Sequence, residues 1–141
     1  MKKFFYILFL LLLSINSFAE DGVFYIKGQA VKAISLALGV KSIDFGDVFP
    51  DAEIDPVFVG LYVNAEAGYD YQIKISNDDS SGILQISRDS LGGYTGNTIT
   101  YKNTGIGTSK ADKFYVGLDT RNIKSDLSAT ITVTVIYCDI F

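Results

Sequence analysis

The chain has 141 residues, with 12 Lys and Arg against 16 Asp and Glu, one Cys, and neither His nor Trp. Without His it lacks the commonest general base and the commonest metal ligand, and a net charge of −4 disfavours a nucleic-acid backbone as partner. The single thiol, Cys138, allows no internal disulfide, so stability must come from the core and from assembly.

Residues 1–19 read as an export signal. Lys2 and Lys3 precede an apolar run over residues 4–13, and Ser17 and Ala19 supply small side chains for cleavage before Glu20. An apolar run that short does not span a hydrocarbon core, which takes about 20 residues. Removing 19 of 141 residues leaves 122, enough for one domain and too few for two. The mature domain, residues 20–141, keeps 10 of the 12 basic residues and all 16 acidic ones, a net charge of −6. It has no second run long enough to cross a membrane, and it is expected to be exported and soluble.

From there the pattern has period two. Residues 23–38 form a long first strand region interrupted by Gly28. Residues 29–38 would also permit a helix, but Val31 and Ile34 suit an extended segment, which is the favoured reading. An acidic stretch follows around Pro50, with Asp44, Asp47, Asp51, Glu53 and Asp55. Clustered carboxylates suit calcium. The order Asp-x-Asp-x-Asp-Gly is missing, however, so a solvated loop is the better reading.

Val57, Val59, Leu61 and Val63 alternate with Phe58, Gly60, Tyr62 and Asn64. After the short link Ala65-Glu66-Ala67-Gly68, which suits a hairpin, Tyr69, Tyr71, Ile73 and Ile75 alternate with Asp70, Gln72, Lys74 and Ser76. Residues 77–82 are a polar turn cluster, and Asn77, Asp78, Asp79 and Ser80 have the same choice between cation binding and turn formation. Shorter strands are expected at residues 83–87 and 98–102, with glycine-rich turns at Leu91-Gly92-Gly93 and Thr104-Gly105-Ile106-Gly107. These glycines lack the Lys-Ser/Thr signature of a phosphate cradle. Phe114, Val116 and Leu118 alternate with Lys113, Tyr115, Gly117 and Asp119. The last strand places Leu127, Ala129, Ile131, Val133, Val135 and Tyr137 on one face and Ser128, Thr130, Thr132 and Thr134 on the other. Seven or eight strands at such spacing in one domain predict an all-β antiparallel sandwich or barrel.

Catalysis has little to stand on. Cys138 has no His to activate it. A glycosidase-type carboxylate pair needs a cleft, and these acids fall in loops. The expectation is a non-enzymatic protein without cofactors or metal. Tyr62, Tyr94, Tyr101 and Tyr115 are too many for the core alone and suit either recognition surfaces or sheet margins.

Three segments together carry a resemblance. Ser42-Ile43-Asp44-Phe45-Gly46-Asp47-Val48 resembles the hydrophobic-x-Phe-Gly-x-Val motif of spore coat protein U-like and related pilin-type domains. Ala67-Gly68-Tyr69-Asp70-Tyr71-Gln72-Ile73 resembles their Gly-x-x-Tyr-x-hydrophobic strand, and residues 129–137 are similar to their Thr-rich closing strand. The resemblance covers most of residues 23–141. It implies an immunoglobulin-like, pilin-type sandwich of about seven or eight strands, with Phe45 and Gly46 as the motif residues. It also implies a subunit of a chaperone–usher fibre, pilus or coat, which passes through the periplasm to the cell surface. Its partners would be other copies, a periplasmic chaperone and an outer-membrane usher. Such subunits polymerise by giving an N-terminal strand to the next subunit. The candidate donor is residues 23–31, with Phe24, Ile26, Gly28 and Ala30 on one face. Two departures bear on this: the family often has a disulfide, and the extension here is short. The alternative is a self-complete secreted binding module, for carbohydrate or protein, in which residues 23–31 are an ordinary first strand.

Overall fold

The computed structural model describes residues 32–138. Seven strands follow one another: β1 (Ser35–Leu38), β2 (Val57–Asn64), β3 (Asp70–Asn77), β4 (Leu84–Ser87), β5 (Ile99–Thr104), β6 (Ser109–Leu118) and β7 (Ile131–Tyr137). A 3-10 turn, Thr120–Asn122, lies between β6 and β7. Among the described residues no helix is long and apolar enough to cross a membrane. The strands form two antiparallel sheets, one ordered β1-β2-β6-β4 and the other β5-β3-β7.

Alternation along the strands decides what becomes core. Val59, Leu61 and Val63 of β2 and Phe114 and Val116 of β6 point inward from the four-stranded sheet. They meet Tyr71, Ile73 and Ile75 of β3, and all of these are buried. Successive strand residues face opposite sides, so one inward apolar residue in two is enough to build this layer. Each such side chain contributes about 1.5–3 kcal/mol by leaving water. β2 and β3 are the central strands of their sheets, paired on both edges, and they supply six of the twelve buried apolar residues.

The predicted hairpin at Ala65-Glu66-Ala67-Gly68 is not one. β2 pairs with β1 and β6, and β3 with β5 and β7, so this link carries the chain from one sheet to the other. The β5–β6 link holds it there. Gly68 N donates to Gly105 O (3.0 Å), Gly105 N to Tyr69 O (2.9 Å) and Gly107 N to Ala65 O (3.0 Å). The two links lie so close that a Cβ on Gly105 would overlap the Glu66 carbonyl oxygen, which requires glycine at that position.

Three other boundaries move. β6 begins at Ser109 rather than near Lys113, because its inward Lys110 and Asp112 are polar and mask the alternation. The last ladder begins at Ile131 rather than Leu127. Leu127 and Ala129 still pack against the core, but residues 127–130 lie outside any strand. Within the predicted first strand, Ser35–Leu38 is extended and residues 32–38 contain no helix. Residues 23–31 lie outside the described part, as does the proposed signal.

Candidate functional site: a groove between the two sheets

Where β1 and β7 form the margins of their sheets, the sandwich is open among the described residues. A groove of about 1140 Å³ runs between them. Leu36 and Leu38 of β1 line one wall, and Leu127, Ala129, Ile131 and Val133 the other. Val59, Phe114, Val116 and Leu84 form the floor. The wall residues pack against the core but are only half-buried, whereas Ile73 and Ile75 on neighbouring β3 are fully buried. Among the described residues, β7 pairs with β3 alone, so its other edge carries no strand. An apolar row and an unpaired strand edge on the same side of one element is a surface that another strand would complete.

The far end of the groove is bounded by loops. Ile43, Phe45, Gly46, Asp47 and Phe49 from the β1–β2 connection lie there, with Ile123, Ser125 and Asp126 from the β6–β7 connection. The two motif residues therefore belong to the groove lining. Phe45 is half-buried against the core. Gly46 takes φ +68°, and its N–H donates to Asp44 Oδ1 at 2.8 Å. Asp44 thus shapes a turn, as Asp and Asn side chains do when they bond two residues ahead. Beyond the groove lining, Tyr137, the last residue of β7, is buried at 6% exposure. Its hydroxyl donates to Ala33 O (2.8 Å) and accepts from Glu66 N (2.8 Å). Its ring meets Tyr69 edge-on at 6.2 Å. Outside it, Lys32 Nζ lies 3.0 Å from Glu66 Oε1 and 4.8 Å above the Tyr69 ring. The Glu66 contact comes first among the causes that raise the Lys32 pKa.

The opposite flank is sealed, and by polar groups. Tyr101 of β5 donates to Asp112 Oδ2 of β6 at 2.7 Å. Arg88 reaches Asp112 Oδ1 at 3.3 Å with its guanidinium 3.5 Å above the Tyr101 ring centre. Lys110 donates to Asn103 Oδ1 (2.7 Å) and to Thr104 O (3.2 Å). Burial, followed by the Asp112 hydrogen bond, pushes the Tyr101 hydroxyl far above the ordinary tyrosine range. Tyr71 is fully buried, and its hydroxyl has no hydrogen-bond partner among the described residues. Burial and then the Asp112 charge raise its pKa as well.

The acidic turn clusters have local work. Asp79 accepts from Ser81 N (3.0 Å), Ser81 Oγ (2.6 Å), Ile83 N (3.1 Å) and Leu84 N (2.9 Å), organising the approach to β4. Burial alone would raise its pKa, but these donors outweigh it and the net shift is downward. Among the described residues, no group of three or more Asp, Glu or Cys side chains converges on a common point as metal ligands would. Cys138 is half-buried just past β7, its N–H bonded to Asp70 O at 2.9 Å. Of the four tyrosines singled out, Tyr62 is exposed on the outer face of β2, while Tyr94, Tyr101 and Tyr115 are half-buried.

Phe24, Ile26, Gly28 and Ala30, the candidate donor residues, lie outside the described residues. The groove itself was not visible in the sequence. It is assembled from residues 36–49 and 127–133, and only the long apolar row of the last strand hinted at it. No protein-family model matches this chain, and no curated protein matches it.

Proposed function

We propose that this chain is an exported, non-catalytic structural subunit of a surface fibre, pilus or coat, and that it assembles by donor-strand exchange. The observation that carries the reading is the groove, where Ile131 and Val133 are half-covered along a strand edge that is unpaired among the described residues. In an immunoglobulin-type sandwich one sheet runs A-B-E-D and the other C-F-G. The order β1-β2-β6-β4 corresponds to A-B-E-D, and β3 and β7 to C and F. The place of G, beside β7, holds no strand among the described residues. β5 lies on the other side of β3.

Residues 23–31 suit the missing place. Phe24, Ile26, Gly28 and Ala30 would point into the groove, two large side chains followed by two small ones. Nine residues extended at about 3.3 Å each reach about 30 Å, more than the length of β7. An apolar groove of this size does not stay exposed to water. The partners are therefore other copies of the chain, and before assembly a periplasmic chaperone that covers the groove and hands the subunit to an outer-membrane usher. Residues 1–19 serve as the signal that takes the chain out of the cytoplasm.

The mature chain, run on a denaturing gel without heating, should give a ladder of multimers that collapses to monomer on boiling. A chain starting at Val31, or carrying Ile26→Asp, should fold and give no ladder. A single monomer band from the intact mature chain would overturn the reading. It would favour the second one, a self-complete binding module. The exposed Phe58 and Tyr62 on the outer face of β2, beside Tyr115 of β6, support that alternative, since the Phe58 and Tyr115 rings meet edge-on at 5.7 Å to make an aromatic surface.

A further inference from the structure

We propose that the outward face of the four-stranded sheet binds an acidic polysaccharide, stacking its sugar rings on Phe58, Tyr62 and Tyr115 and pairing a carboxylate with Lys113. The proposal does not depend on strand exchange, because these side chains lie on the opposite side of β2 and β6 from the groove.

The two outer faces of the sandwich are built from different residues. On the three-stranded sheet the outward positions include Lys74, Lys102, Thr132 and Thr134, an ordinary solvent face on which Ile136 is the one large apolar residue exposed among the described residues. On the four-stranded sheet Phe58 is 53% exposed and Tyr62 43% exposed, and Tyr115 lies opposite Phe58 with the two rings edge-on at 5.7 Å. Large rings left in water together on the flat of a sheet make a contact surface. The backbone makes room for them. Gly60 faces outward yet is buried, because the Phe58 and Tyr62 side chains lie over it. A Cβ there would come within 3.2 Å of the Tyr62 hydroxyl and 3.4 Å of Phe58 Cε1. Gly117 of β6 is buried in the same way beneath Tyr94, whose ring a Cβ would meet at 3.3 Å.

Charge selects the ligand. The chain as a whole is acidic, with a net charge of −4. The outward positions of β1, β2, β4 and β6 nevertheless carry no carboxylate, and Lys113 is their only charge. Besides the aromatic residues they hold Ser, Ala, Gly, Asn and Gln. Lys113 lies opposite Gly60, next to the Phe58–Tyr115 pair, with its Nζ 5.9 Å from the centre of the Tyr115 ring. Among the described residues it makes no ion pair. A second copy laid face to face would bring Lys113 against Lys113 with no acid on either side to answer it. A sugar acid suits the whole surface. The C–H face of a pyranose is apolar and stacks on the negative face of an aromatic ring, its hydroxyls meet the polar tips of Tyr62 and Tyr115, and its carboxylate answers the lysine. Phe58 and Tyr62 lie about 13 Å apart along the strand, further than one sugar ring spans, so the ligand is an oligomer.

The test titrates the mature chain with hexamers of galacturonate and of mannuronate, and with the methyl ester of each, which has the same rings and no charge. Calorimetry gives the affinity, and tyrosine fluorescence, free of interference because the chain has no Trp, reports the contact. An acid hexamer should bind more tightly than its ester, and raising salt from about 0.05 M to about 0.5 M should remove the difference. Lys113→Gln should weaken the acid about fivefold and leave the ester unchanged. Phe58→Ala should weaken both about tenfold. Chemical denaturation checks that each variant is folded, and if Phe58→Ala is not, Lys113→Gln decides. No binding of either hexamer, or binding that Lys113→Gln leaves unaltered, overturns the proposal. Equal binding of acid and ester overturns it too, since the lysine then selects nothing. Self-association in sedimentation that Phe58→Ala abolishes, without hexamer binding, overturns it in favour of a contact between copies. The ladder on unheated gels tests strand exchange separately, so either idea can fail while the other stands.

Discussion

The two flanks of this sandwich solve the same problem in opposite ways. Each is a place where two sheets end and the layer between them meets water. On the β5–β6 flank the inward positions at the rim are Tyr101, Asp112, Lys110 and Asn103, and they close on one another with Arg88 laid over the top. On the β1–β7 flank the equivalent positions are Leu36, Leu38, Ile131 and Val133, with no strand between them among the described residues. A polar rim can satisfy itself and face solvent. An apolar rim cannot, because it gains free energy only when another apolar surface covers it. The sequence of a margin therefore states whether that margin is finished.

Truncation of the core gives the widest separation between central and marginal positions. Ile73→Ala on fully buried β3 should cost about 3–4 kcal/mol in chemical denaturation. Ile131→Ala on the open wall should cost about 1 kcal/mol or less in the isolated subunit, since the residue is half in water already. The second cost should grow once a strand fills the groove. Equal costs in the free subunit would mean that the β7 flank is not open.

A smaller effect probes the sealed flank. Tyr71→Phe removes a buried hydroxyl that has no partner among the described residues, so the variant should match wild type or exceed it by about 1 kcal/mol. A loss of more than that would show the hydroxyl to be satisfied, through a water held against Asp112. The smallest effect concerns the connection above the open flank. There Arg121 bonds Asp119 through its guanidinium (2.6 Å and 2.8 Å) and its backbone N–H (3.2 Å). These bonds hold the Asp119 carboxyl down at about 2. A carboxyl whose pKa is lower in the folded state than in the unfolded one stabilises the fold above the unfolded value of about 3.9. That contribution fades as pH falls through about 2. Arg121→Ala should bring the Asp119 titration, followed by NMR, back towards the ordinary carboxylate range while the folding free energy at neutral pH barely changes, because the pair is exposed.

Part of this was legible in the sequence. β2 was read with its observed ends, and β3 to within one residue, because every inward residue from Val57 to Ile75 within these strands is apolar or aromatic and every outward one apart from Phe58 and Tyr62 is small or polar. β6 was read short because Lys110 and Asp112 look like loop residues until Asn103 and Tyr101 are seen opposite them. The link over Ala65-Glu66-Ala67-Gly68 was misread for a related reason. Period-two alternation says which side of a strand is buried but not which strand lies beside it, and a four-residue connection suits a hairpin or a sheet crossing equally well. The groove lay beyond sequence reading on the same ground. The row from Leu127 to Val135 was recognised as inward-facing, but its lack of cover is a property of what sits across from it. Phe45 and Gly46 stand out by resemblance alone, which says nothing of their position in the groove lining.

The half-covered row on β7 has a thermodynamic consequence. Whatever strand fills the groove binds the folded domain and not the unfolded chain, so it stabilises by mass action. At a hundred times its dissociation constant such a strand adds about 2.7 kcal/mol. The melting temperature of this domain is then a function of concentration rather than a fixed property of the chain, and dilution alone should lower it.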